Sequence, residues 1–237
     1  MKGQMTTSFP SPAELILVRH GQTAGNGVFL DLLISGWADL PLTEVGIRQV
    51  VLLRQRFDSE LAIDALYCSP LHRARATAAL LFPHAGRRVR LHDDLREINC
   101  GEVDGLPVSY VKTKYAKDWE RSLQQDDEHF RWPGGESYRE LRTRALGALD
   151  QIAARHPGER VLVVTHASVI SQTIGALYGL SPGSWESFRP HNTSLTHLRW
   201  SEHTREIVLF DDYRHLCGAP ELLPETTTTA SSHQRAG

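Results

Sequence analysis

The sequence predicts an α/β domain of three layers, with a mainly parallel central sheet and helices on both of its faces. Three observations lead there. Short apolar runs alternate with helix-patterned segments; the best of these runs, LILV and VLVVT, are apolar at almost every position; and they are rich in Val, Ile and Leu. A strand with one wet face alternates apolar with polar residues. A strand apolar throughout must be covered on both faces, which is the condition of a parallel sheet between helices.

The elements follow in chain order. Residues 14–18 (ELILV) read as the first buried strand. Thr43 is a candidate N-cap, and Val45, Val50, Leu52, Leu53 and Phe57 behind it mark an amphipathic helix. Residues 63–68 (IDALYC) read as a second strand and 70–82 as the helix after it, with Pro70 in its first turn. Residues 88–91 suggest a short strand. Ser137 and Glu140 have capping-box spacing at the head of a long helix, which faces Leu141, Ala145, Leu149 and Ile152 inward and stops at His156-Pro157-Gly158. Residues 161–165 (VLVVT) are the most strand-like run in the chain, and a helix to about Tyr178 follows. Residues 194–200 and 206–210 read as late strands.

The chain has 237 residues, 41% of them hydrophobic and 23% charged, which fits one large globular domain and excludes a wholly disordered or coiled-coil chain. The ends are polar and low in bulk, so a single domain is expected over 14–216, with flexible tails at 1–13 and 218–237. A net charge of −2 lacks the positive excess of a general nucleic-acid binder. Cys68, Cys100 and Cys217 are far apart and form no CxxC pair, as expected of a reduced, cytoplasmic protein. No apolar run approaches a membrane span, and LILV is too short for a signal-peptide core.

In sheets of this kind ligands bind beyond the carboxyl ends of the strands. The two best strands run into Arg19-His20 and into His166. Each histidine alone is weak evidence, since most of the 12 in the chain must be ordinary. Two of them at strand ends, one preceded by arginine, point to an anion site on a single sheet edge.

The residues that carry the chemistry also carry a resemblance. RHGQTAGN (19–26) is similar to the signature of the histidine phosphatase superfamily, the group that includes the cofactor-dependent phosphoglycerate mutases. GWADLPLTEVG (36–46), SPLHRARATA (69–78), LREINCGEVDG (95–105), PGGES (133–137) and VVTHASVI (163–170) follow in the family's order. The resemblance covers residues 14–200 and implies a phosphoglycerate-mutase-like fold. It makes His20 the nucleophile that becomes phosphohistidine, oriented by the backbone carbonyl of Gly21. Arg19, Arg73 and His166 then surround the phosphoryl group, with Asn26 and Ala167 at the binding site. Glu97, rather than Asp93, Asp94 or Glu102, becomes the acid that protonates the leaving group and afterwards activates water. Arginine suits the phosphoryl role because its fork of donors binds two oxygens and stays charged. No metal or other cofactor is required, and the expected partner is a small phosphorylated metabolite, with neither nucleic acid nor membrane.

Departures from the family pattern concern the substrate rather than the reaction. Gln22 stands where glutamate is common, Gly25 where tryptophan is common, Val103-Asp104 in place of Trp-Glu, and Ala167-Ser168 in place of two glycines. Arg75 and the KTKYAK stretch at 112–117 read as solvated helix faces. The aromatic-rich segment 106–132 is expected, by resemblance, to cover the mouth of the site. The leading functional reading is a metal-independent phosphomonoesterase. The runner-up is a phosphoglycerate mutase, disfavoured because the acid motif has the short phosphatase form and 106–132 holds no arginine- and proline-rich substrate segment. A catalytically silent phosphate-binding domain is less favoured still, because His20, Glu97 and His166 are all kept. A histidine-ligated metal hydrolase lacks any HExxH-like spacing.

Overall fold

The computed structural model describes residues 10–26, 32–60, 62–83, 89–124, 126–184 and 186–223, with backbone alone at 58–60. Six strands, β1 (Ala13–Arg19), β2 (Ala65–Cys68), β3 (Val89–Leu91), β4 (Arg160–Thr165), β5 (Leu195–Trp200) and β6 (Arg205–Asp212), form one sheet in the order β3-β2-β4-β1-β5-β6. The first four in that order run parallel, and β5 and β6 are antiparallel additions at one side. The sheet is mainly parallel, as expected, and is mixed only through these two strands.

The helices are α1 (Glu44–Glu60), α2 (His72–Leu81), α3 (Val108–Lys114), α4 (Ala116–Ser122), α5 (Tyr138–Arg155) and α6 (Ala167–Leu177). Strand pleating divides the core. Leu15, Leu17, Val161 and Val163 point to one face, where they meet Leu149 and Ile152 of α5 and Ile170 and Ile174 of α6. Ile16, Val18, Leu162 and Val164 point to the other, against Val50, Leu53 and Phe57 of α1 and Ala74, Ala78 and Leu81 of α2. Both faces of β1 and β4 are thus buried, which is why their sequences are apolar without alternation.

The Thr43 hydroxyl accepts the Gly46 amide at 3.0 Å and caps α1. The Ser137–Glu140 capping box is present in both directions. Pro70 lies outside α2 rather than in its first turn: a turn closed by the Leu71 amide on Ser69 Oγ, 3.3 Å, comes first. Ile63 is buried, but its strand starts only at Ala65. The helix face expected over KTKYAK is present, but as two short helices, α3 and α4, rather than one. They stand in the aromatic-rich segment, broken at Tyr115, and close over a small core of Val111, Phe130 and Trp132. Lys112, Lys114 and Lys117 are exposed along them, so KTKYAK is a solvated face divided between two helices.

The C-terminal expectation needs correction at its near end. Leu222 is 1% exposed, its carbonyl accepts from Gln49 Nε2 at 2.6 Å, and Glu221 pairs with Arg48 at 2.8 Å. An apolar leucine and two α1 contacts anchor residues as far as Leu223, whereas 1–9 and 224–237 lie outside the described residues, as does Arg88 of the expected third strand. Among the described residues no helix is long and apolar enough to cross a membrane.

Candidate active site

Sheet register decides what meets at the carboxyl edge. Arg19 stands opposite Thr165 across β1 and β4, and the His20 amide donates to the Thr165 carbonyl at 3.0 Å. On the far side of β4, Cys68 stands opposite Val164, and the Ser69 amide donates to the Val164 carbonyl. His20, His166 and Ser69 therefore leave three adjacent parallel strands at one level. The imidazoles of His20 and His166 lie 5.1 Å apart, centroid to centroid.

The tautomer of His20 follows from its neighbours. Its Nδ1 is 2.7 Å from the Gly21 carbonyl oxygen, which can only accept, so Nδ1 carries the proton and Nε2 keeps a lone pair. Arg73 Nε donates to that lone pair at 3.2 Å. Burial first, then the Arg73 and Arg19 charges, hold the His20 pKa well below 6.5. His166 is lowered in the same way by burial and by Arg73. The Ser69 hydroxyl lies 2.7 Å from His166 Nε2 and already accepts the Leu71 amide. With the Ser69 proton directed to Nε2, the ring N–H of His166 falls on Nδ1. That Nδ1 and the Nε of Arg19 are both buried without a hydrogen-bond partner. Buried polar groups are normally satisfied, and a bound anion could accept from both.

Each arginine is held by carbonyl oxygens. Arg73 donates to Gly36 at 2.6 Å and to Ala38 at 3.0 Å, and Arg19 donates to Pro190 at 2.6 Å. Burial lowers the Arg19 pKa to about 10, opposed mainly by the Glu97 carboxylate, and it stays charged at neutral pH. Asp104, one of the departures from the family pattern, accepts the Gly36 and Trp37 amides at 2.7 and 3.0 Å and so fixes the turn that holds Arg73. Glu97 is 6% exposed. Its Oε1 accepts the Ile98 amide at 2.9 Å and its Oε2 the Ser168 amide at 3.4 Å, while its backbone carbonyl accepts from Trp37 Nε1 and from Arg144.

Every residue expected at the site is brought to this edge. Arg19, Asn26 and Ala167 line a cavity of about 310 Å³, and Asn26 Oδ1 accepts the Thr23 amide at 2.8 Å, shaping the loop after β1. Ala167 opens α6, whose N-terminal amides favour negative charge. Gly21 is needed for close approach: a Cβ there would stand 2.7 Å from the Gly46 carbonyl oxygen, and one on Gly46 would stand 2.2 Å from that of Gln22. Sequence reading missed Ser69, Arg144, Asn192 and Thr193. The Asn192 amide donates to the His20 carbonyl at 2.9 Å, and the Thr193 amide to the Arg19 carbonyl at 2.9 Å. Thr193 adopts φ 61°, a region that a β-branched residue rarely enters. Its hydroxyl bridges the Asn192 carbonyl and His215 Nε2. Only an asparagine beside the late-strand signal hinted at this clamp. Among the described residues no group of three or more His, Cys, Asp or Glu side chains is gathered to hold a metal ion.

Chemically, the cluster offers an unprotonated imidazole nitrogen, two cations, an unpartnered ring N–H and a buried carboxylate around one point. Comparison with known proteins agrees with that inventory. A sequence model of the histidine phosphatase superfamily (branch 1) matches residues 15–213. A relative named as a probable phosphoglycerate mutase, GpmB of Yersinia enterocolitica, is 33% identical over 189 residues, covering 80% of this chain and 86% of its own. The structure is similar to that of the alpha-ribazole phosphatase of Shigella flexneri, with TM-score 0.74, 25% identity, and 84% and 96% of the two chains covered. It is also similar to a phosphoserine phosphatase of Entamoeba histolytica in complex with 3-phosphoglyceric acid, with TM-score 0.72, 26% identity, and 86% and 99% covered.

Proposed function

The chain belongs to the histidine phosphatase superfamily, whose enzymes are phosphatases or mutases, and we propose that it is a metal-independent phosphomonoesterase acting on a small phosphorylated metabolite. The observation that carries the reading is the His20 ring, with its proton committed to Gly21 and its lone pair facing the Arg73 guanidinium. In the first step His20 Nε2 attacks phosphorus in line, the N–P bond forms and the ester P–O bond breaks. Glu97, which has to take up a proton before this step, gives it to the departing oxygen. Arg19, Arg73 and His166 Nδ1–H balance charge on the equatorial oxygens. In the second step Glu97, now a carboxylate, takes a proton from water. The water oxygen bonds to phosphorus, the N–P bond breaks, and inorganic phosphate and neutral imidazole are restored.

The second reading, a phosphoglycerate mutase, has the name of the Yersinia relative in its favour. It would return the phosphoryl group to substrate and would need room and charge for a bisphosphorylated primer. Among the described lining residues the cavity has two cations: Arg19, which belongs to the phosphoryl cluster, and Arg189, which is paired with Glu186 at 2.9 Å. This small supply of cations favours hydrolysis. The test is phosphate release from a panel of phosphorylated metabolites in excess chelator, comparing the wild type with His20→Ala. The proposal expects release that disappears in the variant. Isomer formed from primed phosphoglycerate, with no free phosphate, would establish the mutase instead.

A further inference from the structure

The cavity beside the phosphoryl cluster has a mixed lining. Arg19 and Asn26 share it with the apolar side chains of Leu32 and Phe188, the hydroxyls of Ser168 and Ser171, and Arg189. Leu32 and Phe188 thus bring apolar surface into the same cavity as a cation of the phosphoryl cluster. At about 310 Å³ it has the volume of roughly ten waters, room for a leaving group with a ring.

Phe188 is held from behind. Its ring stacks on Tyr178, with centroids 5.3 Å apart and planes at 15°, and meets the edge of Phe210 at 5.5 Å. Neither Tyr178 nor Phe210 lines the cavity, so both act as buttresses while Phe188 presents surface to it. Leu32, the other apolar lining residue, is 38% exposed, and its backbone is tied by the Val108 amide to the segment that opens α3. A large apolar side chain left in contact with water next to a charged pocket gains from being covered, and a fixed aromatic ring prefers a flat partner. The other lining cation does not pull the other way, because Arg189 is already matched by Glu186.

We propose that the Leu32–Phe188 pair is the specificity element of this site, and that it selects phosphate monoesters whose leaving group presents a flat apolar face, against those carrying a carboxylate near the ester. The proposal rests on reading the Arg19–His20 cluster as the phosphoryl site.

Three phosphonates that share an ethyl chain test it by calorimetric titration, independently of turnover: ethylphosphonate, 2-phenylethylphosphonate and 3-phosphonopropionate. The wild type should bind the phenyl compound about tenfold tighter than ethylphosphonate, the gain expected from covering a ring in a partly open cavity. It should bind the carboxylate compound no tighter than ethylphosphonate. Phe188→Ala should reduce the phenyl preference to less than about threefold. Because Phe188 also packs against the main core, Leu32→Asn provides the same reading from the exposed wall. Equal binding of the phenyl and ethyl compounds overturns the proposal and leaves the phosphoryl site standing. Tighter binding of the carboxylate compound, lost in Arg189→Gln, overturns it in favour of an anionic leaving group. Binding of none of the three overturns it together with the phosphoryl reading.

Discussion

The His20 nucleophile is aimed through its backbone as much as through its ring. Its amide is held by Thr165 and its carbonyl by the Asn192 side chain, while the preceding carbonyl of Arg19 takes the Thr193 amide. Asn192 thus extends with a side chain the hydrogen bonding to the β1 end that precedes β5, and the positive φ of Thr193 is the strain in this segment. Asn192→Ala should therefore lower kcat by about 10- to 100-fold with KM little changed, since small misplacements of a reacting group cost that much. A fall in stability with kcat intact would show the clamp to be structural only. Arg73 acts on the same ring by charge. A nearby cation disfavours imidazolium, so removing it raises the His20 pKa. In Arg73→Met the acidic limb of the residual kcat/KM profile should move to higher pH, and an unmoved limb would sever the link between Arg73 and the state of His20.

Among the elements, β1, β4 and the turns that follow them carry most of the site, and the loop after β1 is packed directly on the first turn of α1. Gly46→Ala tests that packing. Alanine is the better helix former, yet its Cβ would stand 2.2 Å from the Gln22 carbonyl oxygen, so backbone must shift. The variant should melt at lower temperature and lose activity, whereas an exposed Gly→Ala change in a helix raises stability; a rise in both would contradict the contact. The same elements explain what was legible in the sequence. LILV and VLVVT could be read because burial on both faces demands unbroken apolar residues, and Ser137–Glu140 because a capping box has fixed spacing. Arg19, His20 and His166 could be placed because they follow directly on those apolar runs, whereas Arg73 and Glu97 could be placed only through the family resemblance of their motifs. Of helices α3 and α4 only the solvated KTKYAK face was legible, because each is seven residues long, they are interrupted at Tyr115, and they pack through a few side chains with no repeating face. The Asn192–Thr193 clamp was hidden for another reason: nothing in the residue type of a threonine announces a positive φ. The docking of Leu222 depends on a single apolar residue in a polar stretch, too little for periodicity to register.

Across the whole molecule, function and stability share the same buried histidines. His20 and His166 are held well below 6.5, and His215, buried beside Arg56, is lowered to about 4. Near pH 6.5 the unfolded chain binds protons at these positions that the folded chain does not, so the unfolded state gains as pH falls. Stability should be full above about pH 6.5 and decline as the pH drops towards 4. Asp212, held down by hydrogen bonds from Arg214 and Arg56, adds its own loss only below about 4. Melting temperatures measured from pH 7 to pH 4.5 should fall, less steeply in His215→Gln; a flat profile would mean that these histidines are protonated at no cost. The sheet edge that concentrates these groups also makes the central claim simple to test. Rapid quenching of the enzyme with a radiolabelled phosphate monoester should trap an acid-labile, alkali-stable label on the peptide bearing His20. The account predicts that this label forms at least as fast as turnover and is absent from His20→Ala, which releases no phosphate. Turnover persisting in His20→Ala, or label carried on another residue, would contradict it.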